Sequence, residues 1–234
     1  MGRWSGVMTG MIADPARWSS RPKPARVVMD GRYVRLEPLD PGRHGEALFA
    51  ASMAPGVQDR FRYLFDDRMD RTGFAGWLER SGGSSDPLFW AVVDKRTGRA
   101  EGRLALMRID AGHGVIEIGS ILWGPAMAGT RLATEAQFLF AGHVFDDLGY
   151  RRFEWKCDDR NLASKRAALR FGFRFEGMFR QHMVVKGQNR DTAWFSIIDH
   201  DWPALKARYL AWLDPANFDG EGRQRQRLQD IDPA

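Results

Sequence analysis

A predicted strand and a long predicted helix meet in the stretch Trp123-Gly124-Pro125-Ala126-Met127-Ala128-Gly129-Thr130-Arg131-Leu132-Ala133-Thr134-Glu135-Ala136. The start of a helix leaves several backbone N–H groups unpaired and carries the positive end of the helix dipole. A loop of small residues before such a helix can therefore wrap a phosphate or pyrophosphate. The same residues are also ordinary turn and capping residues, and this stretch alone supports both interpretations about equally.

The chain around this stretch alternates between strand-like and helix-like patterns. Before it, three strand-like runs separated by turns predict an antiparallel meander. After it, apolar residues recur at helical spacing until Gly149, and Asn161 is a good N-cap for a short helix. The whole pattern predicts a mixed α+β fold in which helices flank a sheet. The expected strands cover residues 33–39, 88–93, 102–109, 115–123, 152–157, 182–186 and 192–198, and the expected helices cover 44–53, 72–80, 133–148 and 161–171.

Length and composition favour one folded domain with two extensions. The chain has 234 residues, of which 44% are hydrophobic and 28% charged, enough to bury one sizeable core. Residues 1–30 mix Gly, Ser, Pro and isolated Trp without periodicity, so we expect a flexible or loosely docked N-terminal arm. The main domain is expected over 31–203, and a C-terminal helix with a charged tail over 204–234.

Charge and cysteine content exclude several classes of function. The formal net charge of +5 favours an anionic ligand, but the basic residues are scattered, so nucleic-acid binding is not expected. Cys157 is the only cysteine, which rules out an intrachain disulfide and a cysteine metal cluster and fits a cytoplasmic protein. No stretch approaches the roughly 20 apolar residues of a membrane span, and residues 1–30 lack the apolar region of a signal peptide.

Several motifs beyond the opening stretch occur together in a known order. Residues Asn161-Leu162-Ala163-Ser164 look like an Asn-x-x-Ser helix start, and Phe171-Gly172-Phe173-Arg174-Phe175-Glu176-Gly177 looks like a Gly-Phe-x-x-Glu-Gly helix end. With the loop before the long helix, they resemble the pattern of the GNAT acetyltransferases over residues 33–202. Phe179-Arg180-Gln181-His182, Lys186-Gly187 and Arg190-Asp191 resemble the closing hairpin of the RimJ/RimL-like branch, the ribosomal-protein N-terminal acetyltransferases.

This resemblance implies a fold, a co-substrate and a set of partners. The implied fold is a central, mostly antiparallel, splayed sheet of about six to seven strands flanked by about four helices. The implied co-substrate is acetyl-CoA, with no metal ion. The amine acceptor would be a protein N-terminus or a small molecule, and the protein a monomer or homodimer. The motif positions imply coenzyme binding by Leu122, Trp123, Gly124, Ala128, Gly129, Thr130, Arg131, Leu132, Ala133, Thr134, Asn161 and Ser164.

Two positions depart from the family pattern. Arg131 stands where a glycine is common in the phosphate loop, and its side chain either pairs with phosphate or points away. Ala168 stands where many members have a tyrosine that protonates the departing thiolate. Ser164 is the nearest replacement hydroxyl, although a structural role in the first helical turn beside Asn161 explains this serine equally well.

Acetyl transfer to an amine needs a base, stabilisation of an oxyanion and a proton for the sulfur. The family mechanism takes the oxyanion donors from a splayed strand, which maps to residues 122–124. Glu117 is the first candidate base because it lies on the strand face opposite Ile116 and Ile118, although an exposed carboxylate without a catalytic role fits this pattern too. His182 is the second candidate, since imidazole titrates near neutral pH.

The leading hypothesis is an acetyl-CoA-dependent N-acetyltransferase in which the amine attacks the thioester directly in a ternary complex. Residues 61–71 are expected to shape its acceptor site, as the same region commonly does in the family. The departures at Arg131 and Ala168 support a second hypothesis, a non-catalytic acyl-CoA-binding or sensor protein of the same fold. Cys157 is expected either beside the coenzyme or as a buried, inert thiol.

Overall fold

The computed structural model describes residues 15–232, so residues 1–14 of the predicted arm lie outside the described range. Within that range, eight strands form one sheet and five α-helices pack around it. The strands are β1 (Met29–Asp30), β2 (Val34–Pro38), β3 (Leu88–Asp94), β4 (Arg99–Asp110), β5 (Val115–Trp123), β6 (Arg152–Asp158), β7 (Arg174–Val185) and β8 (Gln188–Ile198), and the helices are α1 (Pro41–Met53), α2 (Arg71–Gly83), α3 (Arg131–Gly142), α4 (Leu162–Arg170) and α5 (Trp202–Leu213).

The strand order across the sheet is β1-β2-β3-β4-β5-β6-β8-β7. Every neighbouring pair is antiparallel except β5 and β6, which run parallel because α3 connects them by crossing one face of the sheet. The predicted α+β fold with a mostly antiparallel sheet is confirmed. The sheet gains one strand over the seven expected because the two-residue β1 pairs with β2 through Met29 and Leu36.

Two layers of helices cover the two faces of the sheet. Alternate residues of β3 show this division, since Trp90 packs into the cluster beneath α3 and α5 while Phe89 packs into the cluster beneath α1 and α2. Both faces of β3 are therefore buried, which explains its continuous apolar sequence. We call the two sides the α3 face and the α1/α2 face.

Capping side chains begin four of the helices. Asp40, Asp70 and Thr130 accept hydrogen bonds from the first turns of α1, α2 and α3. The predicted N-cap at Asn161 is confirmed, because its side chain accepts a hydrogen bond from the Ser164 backbone N–H over 3.0 Å. These caps place α3 and α4 at the same end of β5 and β6.

Several predicted boundaries were wrong, among them the start of β8 at Gln188 instead of residue 192 and of β4 at Arg99 instead of residue 102. Strand β7 begins at Arg174 instead of His182. The prediction missed its first half because Gln181 has φ of +50° and the register with β8 shifts between Phe179 and Met183, which interrupts the alternation of side chains along the strand. Helix α2 continues to Gly83 instead of ending at Ser81. The long helix expected over 133–148 is α3 followed by a π-helical turn at His143–Asp147.

Both extensions contact the main domain where they are described. In the N-terminal one, the Trp18 indole N–H donates to the Gly112 carbonyl over 2.6 Å, and the Val27 carbonyl accepts from the Trp90 indole over 2.8 Å. In the C-terminal one, Phe218, Leu228 and Ile231 are buried in the cluster of the α3 face. Among the helices described, none has the length and apolar character needed to cross a membrane.

Candidate active site

A deep cleft opens where β5 and β6 separate. The parallel ladder between them ends at the pair Ile118 and Trp155, while β5 continues to Trp123 along β4. Ser120, with φ of +50°, turns the backbone just beyond the last pair. The cleft at this opening has a volume of about 1360 Å³. Because this exceeds the roughly 1,000 Å³ of a large ligand pocket, the cleft has room for two substrates.

The N-terminus of α3 borders the cleft. Residues 128–134 all line it, so the positive end of the helix dipole and the first-turn N–H groups lie at its edge. The Thr130 hydroxyl accepts from the Leu132 N–H over 3.3 Å and donates to the Met127 carbonyl over 2.8 Å. Gly129 has φ of +75° with open space on its Cβ side, which suits a loop that closely approaches a ligand.

Arg131 lies on the wall of the cleft. Its guanidinium carbon lies 4.3 Å from the centre of the Tyr33 ring and 5.3 Å from that of the Phe218 ring. No carboxylate among the described residues lies within 4.0 Å of this guanidinium. The Arg131 side chain therefore lies over two aromatic rings, and the residue is part of the cleft lining.

A second cation, Arg170, lies nearby at the end of α4. Its Nη1 donates to the Thr134 hydroxyl over 3.0 Å, and its guanidinium carbon lies 5.1 Å from the centre of the Trp212 ring. Burial lowers the pKa of Arg170, and no carboxylate of residues 15–232 pairs with this side chain. Sequence analysis missed this part of the wall, which is completed by the C-terminal residues Trp212, Phe218, Gly222, Arg223 and Gln224.

Ser164 and Cys157 lie side by side in the cleft. The Ser164 hydroxyl accepts a hydrogen bond from the Trp155 indole N–H over 2.9 Å and hydrogen-bonds to the Cys157 thiol. Burial raises the pKa of Cys157 despite that hydrogen bond, so the thiol form is favoured. Ala168 is fully buried one turn further along α4 and offers no hydroxyl.

Glu117 lies in the cleft on the α1/α2 face. Both of its oxygens accept from Arg108 Nη1 over 2.8 Å, and Lys156 Nζ lies 2.9 Å from Oε2. Lys156 also contacts Glu154 over 2.7 Å, and Glu154 contacts Arg152 over 2.7 Å. These residues form a continuous row of alternating charges across three strands, which we call the charge row.

The segment between α1 and α2 forms the opposite wall. It contains a short 3₁₀ helix, Gln58–Tyr63, and it contributes Tyr63 and Phe65 to the cleft lining. The Arg60 guanidinium donates to the Trp123 carbonyl. Lys186 Nζ donates to the Phe61 carbonyl over 2.8 Å. These bonds anchor the segment to β5 and to the turn between β7 and β8.

Three of the predicted site residues lie away from the cleft lining. Leu122 packs against Val57 and Phe61. The Gly124 N–H donates to the Glu101 carbonyl over 2.7 Å, so it is already engaged. His182 is exposed, with Nδ1 3.0 Å from the Thr192 hydroxyl. The predicted residues that do line the cleft are Glu117, Trp123, Ala128, Gly129, Thr130, Arg131, Leu132, Ala133, Thr134, Asn161 and Ser164.

In the described part of the chain, no cluster of three or more His, Cys, Asp or Glu side chains could hold a metal ion. The arrangement at the cleft instead combines a helix N-terminus, cations such as Arg131 and Arg170 that have no carboxylate partner among the described residues, and the charge row.

Comparison with known proteins agrees with this geometry. Residues 34–174 match the family model of the acetyltransferase (GNAT) domain. A GCN5-related N-acetyltransferase from Brucella melitensis is 59% identical, with a TM-score of 0.90, over 92% of this chain and 97% of that one. A chain described as a GNAT-family acetyltransferase from Chromobacterium violaceum is 44% identical, with a TM-score of 0.74, over 81% and 94%. Among curated proteins, none matches the sequence.

The chain therefore belongs to the GNAT family of acetyltransferases, as its motifs indicated. The ribosomal L7/L12 α-N-protein acetyltransferase RimL has the same fold, with a TM-score of 0.63 over 76% of this chain and 97% of that one. At 17% sequence identity, the similarity to RimL shows a shared fold and nothing about function. The RimJ/RimL-like branch is one of several groups among the structural neighbours.

Proposed function

We propose that this protein is an acetyl-CoA-dependent N-acetyltransferase that acts on a primary amine by direct attack in a ternary complex. The observation that carries the proposal is the opening between β5 and β6 with the N-terminus of α3 at its border. The N-terminus of α3 offers a site for the phosphates of the coenzyme. From this site, the thioester of acetyl-CoA can reach the α1/α2 face through the opening in the sheet.

The cations of the α3 face support coenzyme binding. Arg131 lies over the Tyr33 ring, and Arg170 donates a hydrogen bond to the Thr134 hydroxyl. A phosphate group can therefore approach both guanidinium groups without displacing a carboxylate. Gly129 leaves open space at the loop. The residues present therefore fit the pyrophosphate and nucleotide parts of acetyl-CoA, which supplies the activated acetyl group when bound.

The chemistry exchanges one bond at the acetyl carbon and moves one proton on each side. The amine nitrogen attacks the thioester carbon, the C–N bond forms and the C–S bond breaks, the amine nitrogen gives up one proton, and the thiolate that leaves takes up one proton. We propose that backbone N–H groups of β5 beyond Ile118 stabilise the negative charge on the carbonyl oxygen, since pairing with β6 has ended there. Gly124 is not among the proposed donors because its N–H is engaged.

We propose Glu117 as the group that receives the amine proton and Ser164 as the group that protonates the thiolate. Glu117 accepts hydrogen bonds from Arg108 and lies against Lys156, so the proton would reach it through a water molecule instead of by direct contact. Ser164 lies beside Cys157 at the start of α4, within the cleft. The acceptor is proposed to be a protein N-terminus or a small-molecule amine.

One observation favours a second candidate, a non-catalytic acyl-CoA-binding protein. The Ser164 hydroxyl is already engaged by Trp155 and Cys157, and Ala168 provides no alternative hydroxyl. This candidate predicts coenzyme binding without thiol release on any amine.

The test combines binding with turnover. We expect acetyl-CoA to stabilise the protein in a thermal-shift measurement and free thiol to be released with at least one member of a panel of peptides, polyamines, amino acids and aminoglycosides. We expect Glu117→Gln and Ser164→Ala to slow thiol release by about a hundredfold while still binding coenzyme, compared with His182→Gln as the variant away from the cleft. Stabilisation without thiol release would favour the second candidate, and no stabilisation would contradict both.

A further inference from the structure

Arg190 on β8 lines the cleft on the α1/α2 face. Along β8, Arg190, Thr192 and Trp194 share one face by strand alternation, and Lys156 Nζ lies 3.8 Å from the centre of the Trp194 ring. Arg190 therefore lies on the same side of the sheet as Glu117 and the segment that carries Phe65, on the side opposite α3.

Arg190 is a buried residue whose guanidinium has no hydrogen-bond partner within the described part of the chain. Only 7% of the residue is exposed, and its Nε is enclosed with no acceptor. Among the described residues, no carboxylate lies within 4.0 Å of the guanidinium and none of its N–H groups donates a hydrogen bond. Its packing partner is the Phe65 ring, whose centre lies 4.8 Å from the guanidinium carbon.

Two neighbouring cations, Lys156 and Arg103, do have carboxylate partners, unlike Arg190. Lys156 contacts two carboxylates, and the fully buried Arg103 forms an ion pair with Asp66 over 2.9 Å. Asp158 attracts Arg190 electrostatically, but its carboxylate forms its ion pair with Arg160 over 2.9 Å. A buried guanidinium with five donors is costly to leave without acceptors, so such groups are normally satisfied by protein, water or ligand.

We propose that Arg190 binds a carboxylate carried by the acceptor amine, and thereby selects acceptors with an acidic group near the amine. This inference rests on the proposed function. A guanidinium fork matches a carboxylate with two parallel hydrogen bonds. The phosphates of the coenzyme are assigned to the opposite face, at α3, which leaves the acceptor as the anionic ligand of Arg190. A free amino acid and a peptide with an acidic side chain share this chemistry.

The experiment measures product binding, which requires no turnover. The protein is first titrated with CoA, and the protein–CoA complex is then titrated with N-acetylphenylalanine and with N-phenethylacetamide, which lacks the carboxylate. A second pair, acetyl-Ser-Asp-Ala-amide and acetyl-Ser-Asn-Ala-amide, tests the peptide source. We expect the acidic member of at least one pair to bind at least about tenfold more tightly than its neutral partner.

Three variants make the test specific. Arg190→Met should abolish the preference while leaving CoA affinity unchanged, and Arg190→Lys should retain part of it. Arg180→Met, which removes an exposed cation of β7 that does not line the cleft, should retain all of it. If CoA binds but the acidic and neutral members of each pair bind the wild type equally, or neither pair binds, the inference about Arg190 is wrong and the proposed function stands. If CoA itself does not bind, the proposed function fails together with it.

Discussion

The two faces of the sheet hold their cations differently at the opening between β5 and β6. On the α1/α2 face, Lys156 lies between the buried carboxylates of Glu117 and Glu154. On the α3 face, Arg131 lies on the rings of Tyr33 and Phe218 with no carboxylate among the described residues within 4.0 Å. The charge of Lys156 is neutralised by two carboxylates, whereas the charge of Arg131 has no carboxylate partner within residues 15–232.

We propose that this difference separates cations that stabilise the fold from cations that bind a ligand. A buried cation between two carboxylates contributes to the folded state, and removing Lys156 leaves Glu117 and Glu154 buried close together with only their outer partners, Arg108 and Arg152. A cation on an aromatic face keeps its hydrogen-bond donors available at modest interaction energy. Arg190 is the exception on the α1/α2 face, because it is buried like Lys156 yet lacks a carboxylate like Arg131.

The largest expected effect is on stability, from breaking the charge row. We expect Lys156→Met to lower the free energy of unfolding by about 3 kcal/mol, because Glu117 and Glu154 would remain buried beside each other without the cation between them. Urea denaturation followed by tryptophan fluorescence measures the loss.

The matched control for this variant is Lys165→Met. Lys165 contacts Asp159 over 2.7 Å in a half-exposed pair, so its removal should change the free energy of unfolding by less than about 1 kcal/mol. Similar small losses in both variants would show that the charge row does not stabilise the fold.

A smaller effect is expected on the α3 face, where binding should change more than stability. We expect Arg131→Gln to weaken CoA binding about tenfold, equivalent to about 1.4 kcal/mol, with little change in the free energy of unfolding. Calorimetric titration with CoA and with dephospho-CoA measures the effect and identifies whether the 3′-phosphate is involved.

Arg166 provides the control for that measurement. It is an exposed cation of α4 that does not line the cleft, so Arg166→Gln should leave both affinities unchanged. If Arg131→Gln binds CoA as tightly as the wild type, the aromatic contacts of Arg131 are structural and the comparison between the two faces fails.

Sequence patterns predicted the parts of this architecture that depend on neighbouring residues. The β5–α3 junction and the Asn161 cap follow from turn and capping chemistry within a few positions. The contribution of Trp212 and Phe218 to the wall of the cleft was missed, because it depends on packing against α3 and α4 from far along the chain. Arg190 was missed as a site residue for a related reason, since its burial and lack of a partner exist only after β8 pairs with β6.

The last expected effect concerns the reactivity of Cys157, which faces the α3 side of the cleft, and involves neither stability nor affinity. Burial raises the pKa of this thiol, so at pH 7 the reactive thiolate is scarcer than in an exposed cysteine, and the rate of modification should rise as the pH increases towards and beyond 9. We expect a maleimide to react at pH 7 at least about tenfold more slowly with the folded protein than with urea-unfolded protein. CoA should slow the reaction further, since Cys157 lines the same cleft. Rapid modification of the folded protein at pH 7 would mean that the thiol is exposed and ionised, and that the α3 face is less enclosed at this position than its packing indicates.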